Sequence, residues 1–286
     1  MEKIVLITGI HGFLAKHLAV TLRSMGYGIA TIERDILGNP VHLKDTLENL
    51  DIHYIFHLAS YGNHSTQKDE DETIATNILK TWFLLDATKD HNYKAFINVS
   101  SSSVYGVKDI PMSENDCLET TSLYGSTKVA GELLARYQAV SKDKPIINVR
   151  PFSVYGMGEA EFRFIPVVIR AIKEQTEFDL DPEVNHDWVF VTDVIQGFIT
   201  IAKNAKRLKG QAVNIGTGVQ TKNKEIVSKL ENILQKQARY NLVESMREYE
   251  PHDWVADIDL IKSLGWTPKV DLYTGLQETV KYYHGI

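Results

Sequence analysis

The first twenty-four residues carry the strongest constraint on the fold. Ile4-Val5-Leu6-Ile7-Thr8 is an unbroken apolar run, glycines follow at positions 9 and 12, and Leu14, Leu18 and Leu22 then recur every four residues. The run reads as a short buried strand and the leucines as one apolar stripe on a helix. Strand, glycine turn and helix in that order open a βα unit, whose helix must return the chain across the face of a parallel sheet. Apolar runs at Tyr27 to Ile32, Tyr54 to Ala59 and Ala95 to Val99 repeat the strand signal, and Ile78, Phe83 and Leu84 give helical spacing over Thr76 to Ala87. Strands separated by helices are buried on both faces, so the expected fold is α/β with a doubly wound parallel sheet.

Composition narrows the function classes. Of 286 residues, 31 are basic and 37 acidic, a net charge of -6. No chain-wide basic field exists to attract nucleic acid or an anionic membrane, and neither is an expected partner. Cys117 is the single cysteine, which rules out an intrachain disulfide and a Cys-based zinc site and suits a reducing cytoplasm. The opening apolar run is too short for a secretory core, and no window approaches the roughly 18 apolar residues of a membrane span. His53, His57 and His64 lack a metal-ligand spacing, so no metal is expected.

The segment Thr8 to Ala15 lies between the first strand and the first helix. There a glycine turn lets backbone N–H groups and the helix N-terminus approach a pyrophosphate, with Ala15 as the small residue for close helix packing. Glu33 lies 24 residues beyond Gly9 at the end of the second strand, close to the interval of the acid that binds the adenosine ribose hydroxyls. That favours NAD. Arg34 follows and could pair with a 2′-phosphate, which keeps NADP open. A dinucleotide-binding domain is therefore expected over 1–150, joined by 187–216. The less regular remainder, 151–186 and 217–286, would form a smaller, mixed α/β substrate lobe packed directly on it. Within it, helical spacing covers Phe164 to Lys173 and a strand and helix cover Trp188 to Ala202. Lys203 to Lys209 and Lys222 to Lys236 read as solvated helix faces.

Ser100-Ser101-Ser102-Ser103-Val104-Tyr105-Gly106 follows the Ala95 to Val99 strand, and Tyr124 and Lys128 stand four apart in a helical segment. That spacing puts both side chains on one helix face. A nearby ammonium favours tyrosinate and brings a phenol towards the range useful for general acid-base work.

Together these segments resemble the extended short-chain dehydrogenase/reductase family, in its NAD-dependent epimerase/dehydratase branch that acts on nucleotide sugars. The resemblance also rests on His57-Leu58-Ala59, Asn77, Pro111 to Glu114, Arg150-Pro151-Phe152, Asp187 to Val194, Asn214 to Gly218 and Ala256-Asp257. It implies a Rossmann-like fold in which Ser101 binds the reacting sugar oxygen, Tyr124 is the acid-base, and Lys128 orients the ribose and tunes Tyr124. Gly9, Gly12, Phe13, Leu14, Leu58, Ala59, Asn77 and Pro151 would complete the cofactor contacts with Glu33, Arg34, Tyr124 and Lys128. Ser103 would face the substrate, while Ser100 and Ser102, alternating along a strand, would point elsewhere.

Departures from the family sharpen the expectation. Ser102 and Ser103 stand where 4,6-dehydratases place an acidic pair and decarboxylases a glutamate, which leaves redox chemistry without elimination. Ser153 and His186 stand where family members often have Asn and Arg, and Arg247 lines up with a second phosphate-binding arginine. The leading expectation is a nucleotide-sugar C4 epimerase acting through a transient 4-keto intermediate. A 4-keto-deoxysugar-nucleotide reductase would use the same residues, and a non-catalytic dinucleotide-binding protein is the alternative of another class. The resemblance also implies a homodimer through the helices containing Asn77 to Leu85 and Tyr124 to Tyr137, where Leu133, Leu134 and Tyr137 form an apolar face.

Overall fold

The structure is a computed structural model that describes residues 3–64, 66–108, 111–244 and 254–284. Its first half runs β1 (Ile4–Thr8), α1 (Phe13–Ser24), β2 (Gly28–Ile32), α2 (Arg34–Leu37), α3 (Pro40–Leu47), β3 (Ile52–His57) and α4 (Glu70–Ile74). A π-helical turn at Ala75–Leu79 leads into α5 (Lys80–Thr88), then β4 (Ala95–Val99), a short 3-10 turn at Ser102–Val104, α6 (Leu123–Ser141) and β5 (Ile146–Pro151). The second half runs β6 (Ser153–Tyr155), α7 (Phe164–Glu174), β7 (Glu177–Leu180), β8 (Asn185–Phe190), α8 (Val191–Lys203), β9 (Ala212–Ile215), β10 (Gln220–Lys222) and α9 (Asn223–Leu234). It ends with β11 (Arg239–Leu242), α10 (Asp259–Lys262) and α11 (Leu272–His284).

Six parallel strands form the main sheet in the order β2-β1-β3-β4-β5-β9. Every residue of β4 and β5 is buried, as both-face coverage requires. One face packs Leu18, Leu22, Phe198 and Ile201 of α1 and α8; the other packs Leu43, Leu84, Leu85 and Ala135 of α3, α5 and α6. A third apolar cluster, with Ile169, Trp188, Leu230 and Leu276, joins α7, β8, α9 and α11. It belongs to the smaller sheets β10-β8-β6 and β11-β7.

Two differences from the sequence expectation bear on the site. β3 ends at His57, so Leu58 and Ala59 leave the sheet as loop. Beyond Lys203, the last residue of α8, the segment to Lys209 is a run of turns rather than a helix face, and its Ala205 and Leu208 are buried.

A buried polar network locks α6 to the sheet. Arg150 on β5 donates from Nε to Glu132 Oε1 at 2.9 Å and from Nη2 to Oε2 at 2.7 Å, with both side chains about 5% exposed. Its Nη1 donates to Tyr105 Oη, which donates to Asn214 Oδ1. Asn214 Nδ2 in turn donates to the Met112 and Asp257 carbonyls. Asp187 performs a similar task in the second half: its carboxylate accepts from Thr217, Gly218 and Ala256 backbone N–H groups.

Removing one partner of a buried ion pair leaves an uncompensated charge, so Arg150→Met is expected to cost about 3–5 kcal/mol, with Glu132→Leu in the same chain recovering much of it. Urea unfolding of the single and double variants measures this. A single-variant cost below about 1 kcal/mol would show that the pair does not hold α6.

Candidate active site

A cleft of about 1670 Å³ opens between the C-terminal ends of the parallel strands and the second half of the chain. Gly9, Gly12, Phe13 and Leu14 line it from the β1–α1 turn, Leu58 from the β3 end, and Pro151 from the β5 end. Gly9 has φ +70°, and a Cβ there would sit 2.7 Å from the Ala59 nitrogen, so only glycine lets the turn close against the β3 loop. The N-terminus of α1 has no side-chain cap and no acidic residue in its first turn. Its first N–H groups are left for an anion, which fits the pyrophosphate of a dinucleotide.

The β3 loop is held by a chain of hydrogen bonds through His57. Thr81 Oγ1 donates to the Asn77 carbonyl, so it accepts from His57 Nε2 at 2.9 Å. Nδ1 is then left to accept from Thr8 Oγ1 at 2.7 Å, while Thr8 Oγ1 accepts from the Ala59 N–H. Those assignments follow from counting hydrogens. Burial, helped by the Lys128 charge, pulls the His57 pKa down to about 3, so the ring is a neutral spacer. Asn77 is also structural: it donates to the Tyr61 carbonyl and Thr127 Oγ1 and accepts from Tyr61 N–H. Its amide is committed to that loop rather than to the cleft.

Glu33 and Arg34 sit past the end of β2, outside the cleft lining. Glu33 is exposed with no side-chain partner among the described residues. Arg34 is engaged, its Nη2 2.5 Å from Glu72 Oε1 and its guanidinium over the Tyr61 ring. The 2′-phosphate expectation for Arg34 therefore competes with an ion pair already formed.

At the opposite side of the cleft, the chain leaves β4 and turns. Ser101 caps the 3-10 turn by accepting from Ser103 N–H at 3.1 Å, and its hydroxyl lies 3.0 Å from Ser103 Oγ. The turn, rather than strand alternation, decides the serine directions. Ser102 accepts from Trp254 Nε1 at 3.1 Å, while all four serines from Ser100 to Ser103 line the cleft. Gly125 lets α6 approach this turn: a Cβ there would be 2.6 Å from the Ser103 carbonyl oxygen. Ser122 caps α6 by accepting from Gly125 N–H, which starts the helix one residue before Tyr124.

Tyr124 and Lys128 both line the cleft, but their coupling differs from expectation. The Lys128 Nζ is buried and donates to the Val99 carbonyl at 2.6 Å; burial pulls its pKa down to about 8 against the opposing pull of Glu132. The Tyr124 phenol is raised above its ordinary value, because burial outweighs hydrogen bonds from Ser60 and Ser101 and the charge of Arg163. The expected lowering by Lys128 is thus corrected: the cation that favours tyrosinate here is Arg163, from the other half of the chain.

Ser153 and His186 are brought together, Oγ to Nδ1 3.2 Å, and both line the cleft. Arg247 lies outside the described residues. The sequence analysis missed Ser60, Arg163 and Glu159, which also line the cleft. Ser60 adjoins a recognised motif, whereas Arg163 and Glu159 reach the site only through the packing of the second half. Among the described residues, no group of three or more His, Cys, Asp or Glu gathers as a metal-ligand set.

Comparison with known proteins agrees with this geometry. A Bacillus subtilis (strain 168) protein described as an uncharacterized UDP-glucose epimerase is 29% identical, covering 97% of each chain. The CDP-abequose synthase of Salmonella typhimurium is 27% identical over 98% of both chains. The solved structure of a UDP-glucuronic acid 4-epimerase from Bacillus cereus, in complex with UDP-glucuronic acid and NAD, superposes with a TM-score of 0.88 at 28% identity, covering 99% of each chain. The model of the NAD dependent epimerase/dehydratase family matches residues 5–216, from β1 through the last strand of the main sheet, and the chain belongs to that family.

Proposed function

We propose that this protein is an NAD-dependent nucleotide-sugar epimerase that inverts C4 through a transient 4-keto sugar. The carrying observation is the phenol of Tyr124 held by Ser101 beside the glycine turn, with alcohols in the serine turn where elimination would need acids. Relatives that act on or bind UDP-sugars support the same reading, and a UDP-hexose is the first substrate to test.

In this reading 1–150 with 187–216 holds the dinucleotide, and 151–186 with 217–286 holds the sugar nucleotide. The pyrophosphate rests on Gly9, Gly12, Phe13 and Leu14. Glu33 accepts from the ribose diol, while Arg34 stays with Glu72. Leu58 and Pro151 complete the wall, Ala59 backs the glycine turn, and Asn77 positions the loop that carries Ala59 and Tyr61. When bound, the oxidised cofactor would supply the hydride acceptor for C4 and, once reduced, the hydride donor. Tyr124 takes the C4 hydroxyl proton and later gives it back, with Ser101 binding the oxygen on which charge develops. In the free protein the phenol is held protonated by burial, so the proton-accepting form needs further positive charge near it. Lys128 is the ribose-orienting ammonium. Ser103 faces the sugar, and the Ser153–His186 pair with Arg247 takes the diphosphate.

An exposed apolar surface supports a homodimer. Leu79 of the π turn is 48% exposed, and Leu133, Tyr137 and Val140 of α6 are 58%, 57% and 68% exposed. These flank the Trp82–Tyr137 ring contact on α5 and α6, an apolar patch suited to pairing with its own copy. The cytoplasm is the proposed compartment: Cys117 is exposed and unpaired, and among the described residues no helix is long and apolar enough to cross a membrane.

Tyr124→Phe keeps the ring and removes the proton, so turnover is expected to fall about 10²-fold or more with cofactor binding near normal. Full activity in steady-state assays would end the mechanism. Protein purified without added nucleotide is expected to release stoichiometric NAD(H) on denaturation, because an epimerase regenerates its cofactor each cycle. An empty site with one added reductant consumed per product would identify a reductase instead. Light scattering is expected to report a dimer that Leu133→Glu dissociates; a wild-type monomer at working concentration would remove the interface.

A further inference from the structure

Glu159 is a buried acid that the mechanism above does not use. It follows β6, lines the cleft and is 8% exposed. One carboxyl oxygen takes the Gly156 N–H, whereas Oε2 has no partner. A buried carboxyl with an unsatisfied oxygen is costly to keep unless something fills it. The backbone that carries it is fixed. Its own N–H donates to the Gly156 carbonyl, Tyr283 of α11 donates to its carbonyl, and His17 of α1 hydrogen-bonds the Met157 carbonyl two residues earlier.

It lines the same cleft as Ser101 and Tyr124. Arg163 at the start of α7 acts electrostatically on both Glu159 and Tyr124, so the carboxyl and the phenol share one cation. The Ser153–His186 pair, by contrast, stands beside Trp188. We propose that Glu159 is a sugar-binding residue: a small rotation of its side chain brings the unpaired Oε2, enclosed in the free protein, to a hydroxyl of the hexosyl group from the second half's side of the cleft. This rests on the nucleotide-sugar reading of the site. Burial pushes the carboxyl up to about 8 against the charge of Arg163, so near neutral pH the residue is an uncharged acid able to donate as well as accept. The groups around it are Arg163 and Glu161 before α7, Tyr282 and Tyr283 of α11, and His17 of α1.

The test is calorimetric titration of the purified protein, as isolated with its cofactor, using UDP-glucose and UDP as separate probes. Wild type is expected to bind UDP-glucose more tightly than UDP. Glu159→Leu should lose roughly tenfold in UDP-glucose affinity and under threefold in UDP affinity, in the range of one buried hydrogen bond. Glu159→Gln, of the same shape and with a donor, should keep UDP-glucose binding within threefold. Wild-type UDP-glucose affinity should weaken above pH 8, and the Gln variant should flatten that dependence. A folded Leu variant that keeps the full sugar preference overturns the role of Glu159 and leaves the epimerase reading intact. A wild type with no preference for UDP-glucose over UDP overturns the role of Glu159, and one that binds neither probe overturns both.

Discussion

The Arg150–Glu132 ion pair is the constraint on which the site's geometry depends. Glu132 lies two helical turns beyond Tyr124 on α6, and a bidentate guanidinium fixes the rotation of that helix about its axis as well as its distance from the sheet. The carbonyl of Glu132 is also taken, by Asn148 Nδ2, whose own oxygen accepts from Asn98 Nδ2. Three neighbouring positions on β4, β5 and α6 are therefore pinned by polar contacts in an otherwise apolar layer. The same guanidinium reaches Tyr105, next to the serine turn, and through it Asn214 and the Met112–Ala256 bridge. A single buried cation thus sets the relative placement of the α6 phenol, the serine hydroxyls and the C-terminal segment.

Much of this was legible in the sequence because the main sheet is built from local signals. A parallel strand with both faces covered must be apolar throughout, so Ile4 to Thr8 and Ala95 to Val99 announced themselves at their correct bounds. The glycine turn was equally readable, since a positive φ and a close backbone approach coincide at Gly9. Ser101, Tyr124 and Lys128 came from spacing and resemblance, and the cleft gathers all three.

What the sequence did not carry was the electrostatics between them. Four-residue spacing puts Tyr124 and Lys128 on one face, but it does not say that Val99 offers its carbonyl to the ammonium. Nor does it say that Arg163, 39 residues beyond Tyr124, lends its charge to the phenol. The serine run shows the same limit: a capped 3-10 turn, set by Ser101, replaced the strand alternation and sent Ser102 to Trp254. Contacts made across the two halves depend on packing between β6, α7 and α11, and no periodicity encodes them.

The π-helical turn between α4 and α5 inserts one residue into an otherwise continuous helix. One residue corresponds to about 100° of helical rotation, so the turn decides which way everything N-terminal to it faces. Downstream, Thr81 meets His57 and Lys80 reaches Glu72. Upstream, the same phase aims Glu72 at Arg34 and sets Thr73 against Gly62. A one-residue deletion in this segment would act as a twist of the α4 helix rather than as a shorter connection. It would turn Glu72 away and free Arg34 from its ion pair. The angular register of a single helical turn thereby reaches the charge pairing of the segment that follows β2, in a different βα unit.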